Sequence, residues 1–306
     1  MQTIAWQTIS MLLQFKIQDY MERASRGEVT LPPEAVLEFA KSCKDAVTVQ
    51  LNKEKSYKIR MSGLGRPVCQ QLLEKRGIEQ ETKYNLLFTF LFGDIVESIA
   101  VLVLEQAGVD IVAKQKAVKL TIDGTDVSGT LDLIIRDEFG QEKVWDVKSA
   151  SEWAFKFKYT GYGGYEKIKE DDPFGYIMQG HLYGEATGLP FGGWIVINKS
   201  SGEVAVVEAP EWQADDRKEY LADARERIKI LTDESLEFKV PFKDVFETYK
   251  EDGQEVRTGN KLLPKPCTMC SFKAHCWKDA VLHDKITSKA KQPPQVWYSR
   301  LKKKAL

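Results

Sequence analysis

The chain has 306 residues, of which 29% are charged and 43% apolar, with a formal net charge of −1. That balance fits one large globular domain or two modest ones. It excludes a chain-wide polycation, so any nucleic-acid partner must be held by local basic patches.

The first residues, Met1 to Phe15, have no basic start and no small-residue cleavage site, so no secretory signal is expected. Residues 1–51 predict two amphipathic helices, split by the Arg26-Gly27 turn and the start signal Leu31-Pro32-Pro33. A lysine-rich link (Lys53, Lys55, Lys58, Arg60) leads to a helix near Arg66 to Lys75. Leu86 to Gln106 predicts a helix stopped at Gly108. Asp94 and Glu97 interrupt its apolar run, which argues for a buried helix over a membrane span.

The period then changes to that of strands: Ile111 to Ile122, Val127 to Arg136 and Lys143 to Ser149, with a hairpin signal at Asp123-Gly124. Tyr159 to Tyr165, with Tyr162, reads as a Gly/Tyr-rich loop. Asp172-Pro173 opens a helix running to Thr187. Trp194 to Asn198 and Val204 to Glu208 predict two more strands, and Glu211 to Leu231 a charged helix. The remainder reads as irregular. Its basic tail (Lys285, Lys289, Lys291, Arg300, Lys302, Lys303, Lys304) is expected either to fray or to contact phosphates. The order of elements is an α/β plan on a mixed central sheet.

The chemistry concentrates in a few positions. Asp146 and Lys148 are two apart on a strand, so their side chains share a face. Asp132 lies on the preceding strand and reaches the same point through hairpin pairing. Glu97 comes from a helix, with Gly93 one turn earlier expected to permit close packing. Such acids suit a hard cation such as Mg²⁺ or Mn²⁺, with Lys148 orienting a water or offsetting phosphate charge. Gln179 and Tyr183 share a helix face and are expected to touch the phosphate backbone and fix Lys148. His181 lies off that face and reads as structural. The stretch Trp153, Phe155, Lys156, Phe157, Lys158, Tyr159 reads either as a base-stacking surface or as a strand edge.

Cys267, Cys270 and Cys276 form a compact C-x2-C-x5-C group. A fourth thiol would come from Cys69 or Cys43, and four thiolates suit an iron–sulfur cluster or structural zinc. His275 and His283 keep a mixed-ligand zinc site open. With no export signal, five cysteines point to metal ligation over disulfides.

Glu97 after Gly93, Gly129-Thr-Leu-Asp132, Asp146-Val-Lys148 and Gln179-Gly-His-Leu-Tyr183 occur in the order of a known pattern. From about Met61 to the last cysteine, the chain resembles the RecB-like branch of the PD-(D/E)XK nuclease superfamily. Many members have His where this chain has Glu97. The resemblance implies a restriction-endonuclease-like α/β core, a mixed central β-sheet flanked by helices. N-terminal helices would precede it and a C-terminal Cys-rich segment would follow. It divides the chain into 1–60, 61–240 and 241–306: N-terminal helices, nuclease core, and iron–sulfur segment with basic tail.

It also implies catalytic roles for Glu97, Asp132, Asp146, Lys148, Gln179 and Tyr183, with the first three as ligands of one or two Mg²⁺ or Mn²⁺ ions. One upstream Cys followed by C-x2-C-x5-C is similar to the iron–sulfur nucleases of this superfamily, such as the AddB nuclease domain and the CRISPR-adaptation exonucleases. By that likeness Cys69, Cys267, Cys270 and Cys276 would bind a [4Fe–4S] cluster, with zinc the alternative and Cys43 spare.

The expected function is a metal-dependent DNA exonuclease acting on ends or single strands in recombination, repair or phage replication. A recombinase or single-strand-binding partner and a homo-oligomer are compatible with it. A cytoplasmic location without a membrane is expected. A structure-specific or single-strand endonuclease is the nearest alternative, and a non-catalytic DNA-binding scaffold the alternative of another class.

Overall fold

The computed structural model describes residues 2–52, 56–80, 84–161, 163–210 and 214–302, with backbone alone at 2–11 and 214–215. Lys53, Lys55, Tyr162, Lys303 and Lys304, and the expected start of the helix at Glu211, lie outside the described residues. The chain divides into two compact units. The first comprises Met1–Arg66 and Lys83–Ile230, the second Pro67–Thr82 and Leu231–Leu306. The N-terminal helices thus fold with the central strands, and a short segment around Cys69 folds with the C-terminal part.

The helices in chain order are α1 (Gln2–Ser25), α2 (Pro33–Leu51), α3 (Met61–Leu64), α4 (Val68–Lys75) and α5 (Tyr84–Gln106). The strands β1 (Asp110–Ile122), β2 (Thr125–Arg136) and β3 (Glu142–Ala150) follow. Next come α6 (Glu152–Ala154), a π-helical turn (Phe155–Tyr159), α7 (Tyr165–Glu170) and α8 (Tyr176–Thr187). β4 (Phe191–Asn198), β5 (Val204–Glu208) and α9 (Ala214–Thr232) complete the run.

The first unit is an α/β fold on a mixed five-stranded sheet flanked by helices, in the order β1-β2-β3-β4-β5. β3 and β4 run parallel and the other neighbours antiparallel. Central β3 is covered on both faces. Trp145 and Val147 pack with Leu13 and Ile17 of α1 and with Ala100 and Leu104 of α5. Asp146 and Lys148 alternate with them and lie in register with Trp194 and Val196 of β4. Those two residues belong to a separate apolar cluster that holds Phe155, Tyr165 and Ile177. The strand alternation therefore sends the acid and the lysine to the face covered by α8.

Helix α5 departs from expectation. It is long and apolar enough to cross a membrane by length and composition, yet only 11% of its apolar window is buried. Ser98, Ala100 and Leu104 are the buried side chains. Tyr84, Leu86, Leu87, Phe88, Phe90 and Phe92 are exposed. The half beginning near Asp94 is tied to α2 by Gln50–Asp94 and Ser42–Ser98 hydrogen bonds, both 2.8 Å. The charged pair marks where packing begins, not the middle of a buried rod.

The second unit is not irregular. It carries β6 (Val245–Glu251), β7 (Gln254–Leu262), α10 (Lys265–Thr268), α11 (Lys273–Cys276), β8 (Val281–Asp284) and β9 (Gln295–Arg300). Its strands form an antiparallel sheet in the order β6-β7-β9-β8. Asp252 (φ +48°) and Gly253 (φ +80°) make the β6–β7 turn, a backbone that suits Asp-Gly. The strands show little apolar alternation because a carboxylate sits at their centre. Fully buried Glu247 accepts hydrogen bonds from Tyr298 (2.7 Å), Asn260 (2.8 Å) and Thr258 (3.0 Å). The basic tail is folded through Lys302, whose N–H donates to Asn260 Oδ1 at 3.0 Å.

Candidate active site

The β2–β3 ladder stops at Leu133 with Trp145. Just beyond that rung, Asp132 Oδ2 accepts the N–H of Val147 at 2.8 Å. A side chain thus replaces the missing strand partner and satisfies a donor that would otherwise be orphaned. Asp146, 2% exposed, lies within hydrogen-bonding reach of Asp132. Lys148 Nζ donates to Asp146 Oδ1 at 2.9 Å and lies 2.7 Å from Oδ2.

Helix α8 supplies the cover. Gln179 Nε2 donates to Asp146 Oδ1 at 3.2 Å, and the hydroxyl of Tyr183 donates to Thr130 O at 2.8 Å. The two side chains share a face as expected, but Gln179 holds Asp146, not Lys148. Lys148 is held by Asp146 and by the ring of Tyr176, whose centre lies 4.7 Å from Nζ. A Cβ at Gly129 would sit 2.6 Å from Tyr183 Cε1 and 3.2 Å from Met61 Sδ, so this packing requires glycine. Gly93 has no such role: a Cβ there would meet only Ser149 Oγ, at 3.9 Å.

Glu97 reaches the cluster from α5, and Gln115 Nε2 donates to its carboxylate. Gln115 itself has φ +46°, an uncommon backbone for a residue with a Cβ. Burial, then the negative charge of Asp146, pushes Glu97 up to about 7. Burial, then the charges of Asp146 and Glu97, holds Asp132 well above the ordinary carboxylate range. Burial also raises Asp146, against the opposing charge of Lys148. Burial disfavours the Lys148 ammonium, but Asp146 and Asp132 outweigh it and hold the lysine above its usual value. Three acids thus face one cation, an all-oxygen donor set short of positive charge, which suits a hard divalent ion. Among the described residues, no three His, Cys, Asp or Glu side chains are already grouped at the spacing a single ion needs.

His181 is fully buried and structural in its contacts. Its Nε2 lies 3.1 Å from the Tyr165 hydroxyl, which donates to Asp216 at 3.0 Å. Of the aromatic stretch after β3, Phe155 and Tyr159 are buried, while Trp153 and Phe157 are exposed and pair with ring centres 5.4 Å apart. Lys158 is drawn into an ion pair with Asp171 at 3.1 Å. The sequence did not single out Tyr176, whose only signal is position: it is three residues before Gln179 and therefore on its face of α8.

In the second unit Cys69, Cys267, Cys270 and Cys276 line one cavity together with Phe238 and Trp277. All four are free thiols. Burial, then the neighbouring sulfurs, raises Cys69 to about 11, and the same causes raise Cys276 to about 11. The N–H of Phe272 donates to Cys270 Sγ at 3.4 Å. Neither His275 nor His283 lines the cavity, and His283 Nδ1 lies 2.9 Å from Asp284 O. Cys43 belongs to α2 of the first unit.

No family model matches this chain. No curated protein matches it either. Among solved structures, the crystal structure of SSO0001 is similar at 15% identity and a TM-score of 0.39, over 63% of this chain and 86% of that one. A likeness that distant carries no argument here.

Proposed function

We propose that the chain is a metal-dependent deoxyribonuclease of the PD-(D/E)XK type, acting as an exonuclease on DNA ends. The observation that supports this is the meeting of Asp132, Asp146 and Lys148 at the open end of the β2–β3 ladder, with Glu97 close enough for its charge to act on Asp132. Glu97, Asp132 and Asp146 would hold the ion. A bound Mg²⁺ or Mn²⁺ supplies Lewis acidity to the phosphate and a more acidic water.

The protein's own groups do the rest. Gln179 fixes the Asp146 carboxylate, and the Tyr183–Thr130 bond fixes the part of β2 that carries Asp132. Lys148, held above its usual value by Asp146 and Asp132, is placed to donate to a phosphate oxygen or to the attacking water. Hydrolysis proceeds by water attack without a covalent enzyme intermediate.

That four cysteines line one cavity supports a [4Fe–4S] cluster as the group they would bind, with zinc as the alternative. Its donors come from the two sequence segments of the second unit, so a bound cluster would tie Cys69 to residues nearly two hundred positions later. The work fits end processing in a non-membrane setting.

Linear and circular single-stranded DNA, incubated with Mn²⁺ or with EDTA, test this reading. Degradation of the linear form alone, abolished by EDTA, is expected. Cleavage that survives EDTA contradicts metal dependence, and equal cleavage of circles contradicts the exonuclease assignment.

A further inference from the structure

Phe174 stands out in the first unit because it is exposed, rigidly held and linked to the candidate lysine. Its side chain is 43% exposed. Its ring stacks on that of Tyr176, centres 5.5 Å apart and planes 27° apart. Tyr176 in turn carries the Lys148 ammonium over its own ring.

The turn that presents Phe174 is fixed at both ends. Asp172 Oδ1 and Oδ2 accept the N–H groups of Tyr176 and Ile177, each at 2.9 Å, and so cap α8. Gly175 has φ +75°, and a Cβ there would lie 2.3 Å from the Cα of Gly65. The backbone of α8's first turn therefore cannot shift without breaking the approach to Gly65. An aromatic ring left partly in water on so stiff a turn has forgone apolar burial that a flexible turn could recover. It is preorganised to receive another flat, apolar surface.

We propose that Phe174, backed by Tyr176, is a stacking platform for an unpaired nucleobase adjoining the phosphate bound at Asp132, Asp146 and Lys148. This rests on the nuclease reading and deepens it by giving the unpaired base next to the candidate site a residue to stack on. A base inside an intact duplex has both faces covered by its neighbours. The ring can accept only a base that has left the stack or ends it. Because Tyr176 contacts both Phe174 and Lys148, base stacking and phosphate placement are set by one side chain.

The test uses the full chain and a fluorescein-labelled mixed-sequence single-stranded oligonucleotide. Binding is measured by anisotropy in Ca²⁺ and turnover in Mn²⁺. Phe174→Ala should raise Kd and KM about ten-fold, the scale of one lost base–aromatic stack. Phe174→Trp should restore both. Phe139→Ala, which removes another exposed ring in the β2–β3 turn, should change neither.

Oligonucleotides with one abasic nucleotide at each of the three terminal positions of either end add a second arm. One position should weaken wild type by the same factor and leave Phe174→Ala no weaker than before. The platform is overturned if Phe174→Ala binds as wild type does, if Phe139→Ala loses as much, or if every abasic substrate weakens both proteins equally. A wild type without turnover but with Phe174-dependent binding sinks the nuclease reading and leaves the platform standing. Turnover with Phe174-independent Kd and KM does the reverse.

Discussion

Asp132 Oδ2 accepts the N–H of Val147 at 2.8 Å, so one carboxylate both closes a strand end and faces the candidate metal site. The two roles separate by substitution. Asp132→Asn keeps an acceptor for Val147 and removes a charge that burial and Asp146 disfavour. Its thermal midpoint without divalent metal should equal or exceed that of wild type, while cleavage is lost. Asp132→Ala should cost about 1–3 kcal/mol by stranding the donor. Equal destabilisation by both variants in urea titrations would show that the strand-closing bond carries no weight.

Two glycines of the motif region should behave oppositely. Gly129→Ala drives a Cβ into the Tyr183 ring edge and Met61, at about 1–3 kcal/mol, and should weaken cleavage by displacing Tyr183. Gly93→Ala meets only Ser149 Oγ and improves helix propensity, so α5 should gain up to about 1 kcal/mol. Chemical denaturation of the two variants side by side decides this. A Gly93→Ala loss as large as that of Gly129→Ala would restore the close-packing role.

Burial, then the charge of Arg217, pushes His181 down to about 4 from 6.5. Between those values the unfolded chain binds a proton that the folded chain does not. Stability therefore rises with pH across that window and is lost as pH falls from 6.5 towards 4, by up to about 3 kcal/mol. His181→Gln should flatten this dependence when urea midpoints at pH 7 and pH 4.5 are compared. An unchanged slope in the variant would assign the acid lability to other groups.

Cys69→Ala, Cys267→Ala, Cys270→Ala or Cys276→Ala should each abolish binding of the proposed cluster, whereas Cys43→Ala should not. Aerobic purification of wild type should give a brown protein with about four irons per chain. A colourless protein with stoichiometric zinc would replace the cluster and leave the nuclease reading intact.

The sequence was most readable where period and chemistry agreed. The alternation of β3 placed Asp146 and Lys148 on one face, and spacing placed Gln179 and Tyr183 together on α8. It was least readable where a contact crosses elements. Nothing local says that Gln179 reaches Asp146, that Tyr176 lies against Lys148, or that Gly175 crosses Gly65. The C-terminal sheet was hidden for a different reason. Its centre is Glu247 with hydrogen-bond partners, and a polar core leaves no apolar period to find. Helix α5 misled in the opposite direction, because an apolar run predicts burial only where a partner surface is present.

The central claim is that Asp146 and Lys148 act together in metal-dependent phosphodiester hydrolysis. The most direct measurement is the rate of release from end-labelled linear DNA in Mn²⁺ by wild type, Asp146→Ala and Lys148→Ala, with circular dichroism confirming that each variant is folded. The account predicts robust release by wild type and a loss of about a hundred- to a thousand-fold in each variant, the scale of removing a group that stabilises the transition state. Wild-type rates in both folded variants would contradict it.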